Sequence, residues 1–201
     1  MASYAEVMKA LAAIYRASDE TVRGALRGRV QNLQKFGVPI DVGAQTGRGR
    51  KIDYGREEIY QMMFCLELYE IGLPPVHAVQ IVRECWRSVL ADEFKKEWQQ
   101  PSGNDRIAIV ETNLLSGSWR QEYQNALKNN PQVVVGTAIT LTSLKGIGSL
   151  FEKRKIGHWR HCALVNISAL VLAVESEMAG ALPAATTKPK KPSAADREAR
   201  R

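Results

Sequence analysis

The chain has 201 residues, of which 45% are hydrophobic and 24% charged, a composition typical of a folded globular protein. Its formal net charge of +7 favours a polyanionic partner. The three cysteines lie far apart in the sequence, which argues against a disulfide framework and against a cysteine-based metal site. No apolar run approaches the about 18 residues of a membrane span, and the N-terminus lacks a signal-peptide pattern, so we expect a cytoplasmic protein without membrane contact.

Two helices joined by a short turn are predicted at the N-terminus. Apolar residues at helical spacing predict an amphipathic helix over residues 4–16. Ser18 and Asp19 supply an N-cap for a second helix over residues 19–36. A helix, a short turn and another helix meet the minimal requirement of a helix-turn-helix motif.

The second predicted helix has an apolar sector and an opposite sector rich in Arg and Gln. Such polar side chains can reach both phosphates and purine edges in the major groove, although a solvated basic face on a core helix is the alternative. The apolar sector contains Val22, Leu26, Val30, Leu33 and Phe36, and the polar sector contains Arg23, Arg27, Gln31 and Gln34.

Three residues of this helix do not fit the pattern. Arg29 falls in the apolar sector, and Gly24 and Gly28 each cost about 1 kcal/mol inside a helix. Either the helix is interrupted near Gly28 or the glycines allow close packing.

The segment after the second helix is predicted to form a basic wing. Its glycines and Pro39 cannot continue a helix, and residues 50–54 alternate enough for a short returning strand. Arg48, Arg50 and Lys51 at its tip would contact a phosphate strand or enter the minor groove. A nucleotide-binding phosphate loop would instead need a preceding strand, a following helix and a Lys-Ser/Thr element, none of which the sequence offers.

Two further helices are predicted over residues 53–73 and 76–99. Gly72 and the prolines after it end the first of them. His77 is interpreted as a polar residue at a helix end. An apolar stripe in the second of them would be either core or a dimer seam, and it contains Val79, Val82, Trp86, Leu90 and Phe94.

Residues 20–83 resemble the DNA-binding half of the MerR regulators. The resemblance is carried by Phe36-Gly37-Val38-Pro39 after a helix, by Arg50 and Tyr54 before the next helix, and by Glu70-Ile71-Gly72-Leu73. It implies a homodimer that binds double-stranded DNA with its second helix in the major groove and its wing on the backbone. Gly24-Ala25 replaces the family's aromatic pair, and no metal-binding cysteines follow, so metal or drug sensing is not implied.

The C-terminal half is predicted to be a small mixed unit that binds a ligand or pairs with a second subunit. Strands are expected over residues 106–110 and 132–141, with a short helix over 119–128 between them. Residues 144–149 are similar to the hairpin of helix-hairpin-helix proteins, but a simple turn after a strand is favoured. An apolar helix is predicted over 161–178, buried in a core or an oligomer interface.

No metal site is expected in this half. His158, His161 and Cys162 lie close together in the sequence but lack a fourth ligand.

The sequence thus predicts an α+β, mostly helical protein with three parts. These are a winged helix-turn-helix domain over 1–99, a small α+β dimerisation or ligand domain over 100–181, and a disordered basic tail over 182–201. The predicted DNA contacts are Arg16, Thr21, Arg23, Arg27, Gln31, Gln34, Arg48, Arg50, Lys51 and Tyr54.

The leading hypothesis is a sequence-specific transcriptional regulator that is associated with the nucleoid and uses no cofactor. The alternative is an architectural or recombination accessory protein of excisionase-like type that bends DNA. An enzyme is disfavoured because the sequence has no nucleophile motif, no His paired with a carboxylate at catalytic spacing and no complete phosphate loop.

Overall fold

The structure, a computed structural model, describes residues 1–40, 42, 53–101, 105–111, 139–147 and 162–182. These residues form a mostly helical α+β fold with a small three-stranded antiparallel sheet. In chain order the elements are α1 (Tyr4–Ile14), α2 (Glu20–Lys35), α3 (Arg56–Glu70), α4 (Pro75–Cys85), a π-helical segment (Trp86–Leu90), α5 (Ala91–Gln99), β1 (Arg106–Glu111), β2 (Ile139–Ser143), β3 (Cys162–Asn166) and α6 (Ile167–Glu177).

The first two helices begin at capping residues that the sequence displays. Ser3 and Glu6 form a reciprocal capping box at the start of α1. The Asp19 carboxylate accepts a 2.8 Å hydrogen bond from the Val22 backbone N–H, as predicted for the N-cap of α2. The second helix is confirmed to within one residue at each end. The first ends at Ile14, two residues earlier than predicted.

The buried face of α2 is narrower than the predicted apolar sector. Leu26, Val30 and Leu33 are buried, whereas the side chains of Val22 and Phe36 remain 44% and 43% exposed. Val22 and Phe36 lie in the first and last turns of this apolar sector, so the packed part of α2 is its central stretch.

Arg29, Gly24 and Gly28, which do not fit the predicted pattern of α2, all lie within one continuous helix. Arg29 is exposed and forms an ion pair with Glu70 on α3. The helix runs without interruption through Gly24 and Gly28, and a Cβ built at either position meets no described atom within 4 Å. Neither an interruption nor close packing to the described residues therefore explains these glycines.

Two other glycines end helices in the left-handed conformation. Gly37 follows α2 with φ of +86°, and Gly72 follows α3 with φ of +91°. In both cases the residue after the glycine is buried and its N–H donates to a carbonyl five residues earlier, from Val38 to Leu33 at 3.0 Å and from Leu73 to Leu68 at 2.9 Å. This is the Schellman motif, in which glycine avoids the clash of a Cβ with the following carbonyl.

Alanine substitutions at these two kinds of glycine should change stability in opposite directions. Gly24→Ala should raise the free energy of unfolding by about 0.5–1 kcal/mol, because helical φ suits alanine and the unfolded chain loses freedom. Gly37→Ala should lower it by about 1 kcal/mol, because alanine resists positive φ. Urea unfolding followed by circular dichroism would measure both. Equal effects of the same sign would contradict the backbone conformations described here.

A continuous helical run extends from Pro75 to Gln99, close to the predicted 76–99. In its middle the Ala91 N–H donates to the Trp86 carbonyl five residues earlier, which is one wide π-helical turn. The whole predicted apolar stripe of this run is buried, so it is core, not a dimer seam. His77, in the first turn as predicted, is also buried, and burial lowers its pKa to about 4, which keeps it neutral at pH 7.

An aromatic cluster connects this run to α3. The Phe94 ring lies 5.1 Å from Tyr60, 5.2 Å from Trp86 and 6.1 Å from Phe64, measured between ring centroids. The Trp86 indole N–H donates to a carboxylate oxygen of Glu57 at 2.7 Å, which satisfies the polar atom of a buried ring. The cluster therefore fixes α3 against the π-helical segment and α5.

The sheet has the order β2-β1-β3, with both neighbours antiparallel to β1. Ile109 is opposite Thr140 on one side and Leu164 on the other. The predicted strand over 106–110 is confirmed as β1. Strand β2 overlaps the last three residues of the predicted strand over 132–141 and continues to Ser143. Residues 132–138 of that prediction lie outside the described residues.

The prediction of one helix over 161–178 is wrong for Cys162–Asn166. Cys162–Asn166 forms β3, and α6 begins at Ile167 with the Asn166 side chain accepting from the Ala169 N–H at 3.0 Å. Apolar residues fit both a buried strand and a buried helix, and here the backbone of β1 supplies the deciding hydrogen bonds. Residues 144–147 form a helical turn directly after β2, which agrees with the favoured reading of that segment as a turn.

Helix α6 packs against α3 through a polar cluster. The Arg56 guanidinium donates twice to the Glu175 carboxylate, at 2.6 and 2.8 Å, and the Tyr60 hydroxyl donates to the same group at 2.8 Å. The Arg56 guanidinium also lies 4.4 Å from the centroid of the Trp98 ring. Residues on both sides of the predicted boundary near residue 100 contribute to one hydrophobic core.

Several sequence predictions concern residues outside the described parts. These are the wing tip, the helix over 119–128, His158, His161 and the basic tail after residue 182. In the described ranges, no helix is both long enough and apolar enough to cross a membrane. Within the same ranges, no three His, Cys, Asp or Glu side chains are placed to share a metal ion.

Candidate nucleic-acid interface

The turn between α1 and α2 places an arginine where the other Schellman motifs have glycine. Arg16 has φ of +51°, its N–H donates to Ala13, and the next N–H, from Ala17, donates to Ala12 at 2.8 Å. Ala17 is buried, and the Arg16 side chain is exposed. A side chain in the left-handed region destabilises the backbone, so glycine would suit the backbone of this turn better than arginine does.

An open groove of 680 Å³ lies between α1 and α2 beside this turn. Four exposed cationic side chains line it, two from α1 and its turn and two from α2, and none of its lining residues in the described part is acidic. The groove is lined by Met8, Lys9, Ala12, Ala13, Arg16, Ala17, Ser18, Arg23, Leu26 and Arg27.

Arg23 is held at this groove by the backbone of the turn. Its Nε donates to the Ala17 carbonyl at 3.0 Å, the residue directly after Arg16. This bond fixes the guanidinium between the two helices, and the same group carries four further N–H donors. The groove therefore has at least one cation whose position is set before any ligand arrives.

Gln31 continues the polar face of α2 from Arg23 and Arg27, which line the groove. Arg27 and Gln31 each follow the previous member of the stripe by four residues, so Arg23, Arg27 and Gln31 lie along one side of the helix and all three are exposed. Burial raises the pKa of the Tyr4 hydroxyl, and the nearby Arg27 guanidinium offsets part of that rise. Arg27 thus lies beside the start of α1.

Gln34 and Tyr54 are predicted DNA contacts, but in the structure their side chains bind each other. The Gln34 amide donates to the Tyr54 hydroxyl at 2.7 Å, and Tyr54 is 1% exposed with a pKa raised by burial. The Tyr54 backbone pairs with Ala2 through two 2.8 Å hydrogen bonds. The predicted wing would instead pair this residue within its own hairpin. A phosphate contact by Tyr54 does not fit this buried position, and Gln34 supports Tyr54.

The remaining predicted contacts divide into two groups. Thr21 is exposed, but helical geometry puts it about 120° around α2 from Arg27, so the structure does not bring it to the same face. Arg48, Arg50 and Lys51 lie outside the described residues. The described chain resumes at Asp53, and Tyr54 ties it to Ala2 and Gln34 next to the polar face of α2.

The opposite flank of α2 is attached to α3. Arg29 pairs with Glu70, and the Tyr15 hydroxyl donates to Glu67 at 2.9 Å. Burial and the adjacent Glu67 carboxylate raise the pKa of Tyr15. These contacts hold α1 and α2 as a pair on α3 and leave the groove side facing outward.

No family model, curated protein or solved structure matches this chain.

The sequence prediction missed one residue of this site. Lys9 is not among the predicted contacts, yet it lies seven residues before Arg16 and lines the same groove. Seven residues are about two helical turns, so the spacing of Lys9 and Arg16 was a usable signal. The spacing alone did not reveal that α2 would place Arg23 and Arg27 opposite them.

Proposed function

We propose that this chain binds double-stranded DNA through α2 and the neighbouring groove. The observation that carries the proposal is the alignment of exposed Arg23, Arg27 and Gln31 along α2. Arg23 and Arg27 also line a groove with Lys9 and Arg16, and no described lining residue of that groove is acidic. Arg and Gln side chains on one helix face suit purine edges and phosphates in the major groove. Cations at the groove would release condensed counterions on meeting the DNA backbone.

The order of elements agrees with this proposal. From α2 onward, a helix, a basic segment and two further helices follow one another as the resemblance to MerR regulators implies, with Gly72 and Leu73 at the predicted step between α3 and α4. In this interpretation, the protein is a winged helix-turn-helix regulator. The basic residues Arg48, Arg50 and Lys51 are then the wing contacts, close in sequence to the anchored Tyr54.

The proposed active form is a homodimer that recognises an inverted repeat. Two symmetric helix-turn-helix units bind half-sites one helical turn apart, so the symmetry of the site reports the symmetry of the protein. The Arg, Gln and Lys contacts predict an affinity that falls steeply as salt increases.

Selection of tight binders from random-sequence duplexes, at about 0.05 M and 0.2 M salt, tests this function. We expect enrichment of one inverted-repeat motif and an affinity at least about tenfold weaker at the higher salt. Salt-sensitive binding without enrichment would favour the architectural alternative. An absence of duplex binding at low salt would refute the proposal.

A further inference from the structure

We propose that the groove between α1 and α2 is a binding site for a single phosphate group, and that Arg16 adopts its left-handed backbone in order to present a guanidinium to it. The assignment of that phosphate to the DNA backbone rests on the proposed function. The phosphate chemistry of the groove itself does not.

The first support is the backbone of Arg16. The equivalent positions after α2 and α3 are Gly37 and Gly72, the residue that this conformation favours. The Arg16 N–H and the following N–H make the same backbone hydrogen bonds as the two glycine turns, and these bonds use no side-chain atom. Its side chain is exposed and lines the groove, where its charge is available to an anion.

The second support is the convergence of cations from two helices. Lys9 and Arg16 line the groove on the α1 side, and Arg23 and Arg27 line it on the α2 side. None of the described lining residues is acidic, so an anion in the groove would meet positive charge from both helices. Arg23 is already fixed by its bond to the Ala17 carbonyl, which reduces the entropy lost on binding.

The geometry favours phosphate over a monovalent anion. Guanidinium groups offer paired N–H donors that match two oxygens of one phosphate, and two arginines can hold it from different sides. The groove continues directly into the exposed face of α2 at Arg27. A duplex that meets this face would therefore bring a backbone phosphate to the groove, where it would fix the register of α2.

The test compares three substitutions of Arg16 with the wild-type chain. Arg16→Gly removes both the charge and the strain, Arg16→Ala removes the charge and keeps a Cβ, and Arg16→Lys keeps a charge. Arg29→Ala is the matched control, since it removes the same charge from the opposite flank of α2, where Arg29 pairs with Glu70. Thermal unfolding, duplex affinity across salt concentrations, and thermal stabilisation by sodium pyrophosphate are measured for each.

We expect Arg16→Gly to raise the midpoint of thermal unfolding by about 2–4 °C while it weakens duplex binding about tenfold. Arg16→Ala should bind as weakly without the gain in stability. Both should reduce the salt slope by about 0.9, the contribution of one phosphate contact. Arg16→Lys and Arg29→Ala should keep the wild-type slope.

The outcomes separate this inference from the proposed function. If Arg16→Gly and Arg16→Ala bind with the wild-type slope while Arg27→Ala binds weakly, the groove is not a phosphate site but the function of α2 stands. A lower unfolding midpoint for Arg16→Gly would overturn the argument from the backbone. If no duplex binds, yet pyrophosphate stabilises the wild-type chain and not Arg16→Ala, the groove takes a free phosphate and the DNA function is wrong. If neither duplex nor pyrophosphate binds, both fail.

Discussion

Replacing Arg23 and Arg27 together by alanine should weaken binding to the selected duplex by about 100-fold or more at about 0.1 M salt. The two residues lie one turn apart on the exposed face of α2, and each arginine contact to a base or a phosphate typically changes affinity by about 5- to 100-fold. The salt slope should fall by up to about two, one phosphate contact for each lost charge. Titration of a labelled duplex by fluorescence anisotropy at several salt concentrations gives both values.

Two controls make this result specific. Arg29→Ala, on the flank of α2 that pairs with Glu70, should leave the affinity within about threefold of the wild type. Gln31→Ala should weaken binding to the selected duplex more than binding to a random duplex, since an amide can read a purine edge. A double variant that binds like the wild type would show that the polar face of α2 is not the interface.

Removing the Phe94 ring should produce the largest loss of stability. Phe94→Ala should lower the free energy of unfolding by about 3–5 kcal/mol, because the ring is 1% exposed and leaves a cavity that its neighbours only partly fill. It also contacts the rings of Tyr60, Phe64 and Trp86, and each aromatic pair contributes about 0.5–1.5 kcal/mol beyond burial. Since whole domains are stable by only about 5–15 kcal/mol, this change approaches the total.

Urea unfolding monitored by tryptophan fluorescence and by circular dichroism measures the loss. Leu172→Ala is the control, because Leu172 is 72% exposed and its truncation should change stability by less than about 0.5 kcal/mol. The Tyr60 ring of α3 stacks on Phe94 of α5, and its hydroxyl binds Glu175 of α6. Both probes should therefore report one unfolding transition for these three helices. A loss below about 1 kcal/mol would contradict the described cluster.

Local signals explain why much of the helical framework is predictable. The Asp19 cap and the three- and four-residue spacing of apolar side chains located α2 to within a residue at each end. Gly72 is also a local signal, because a glycine that takes the left-handed conformation ends α3. Each of these interactions joins residues fewer than six positions apart, so the sequence displays both partners together.

The candidate site was less predictable because its partners are distant in sequence. The helical face of α2 predicts Arg23 and Arg27 as contacts, but the predicted contacts omit Lys9, which lines the groove, and include Tyr54, which is buried. The burial of Tyr54 depends on Ala2 and Gln34, which lie 52 and 20 residues away in the chain. Periodicity within one helix carries no information about such contacts.

The sequence by itself determined the caps, the helical faces, the central strand and the excess of positive charge at the N-terminal helices. Only the tertiary structure decided that Cys162–Asn166 is a strand, since that choice needs hydrogen bonds from β1, more than 50 residues away. It also decided that Arg16 takes a glycine conformation and shares a groove with residues of α2. The physical reason is that hydrogen bonds and hydrophobic contacts across the chain form only when distant segments pack together, whereas capping and helical spacing act within a few residues.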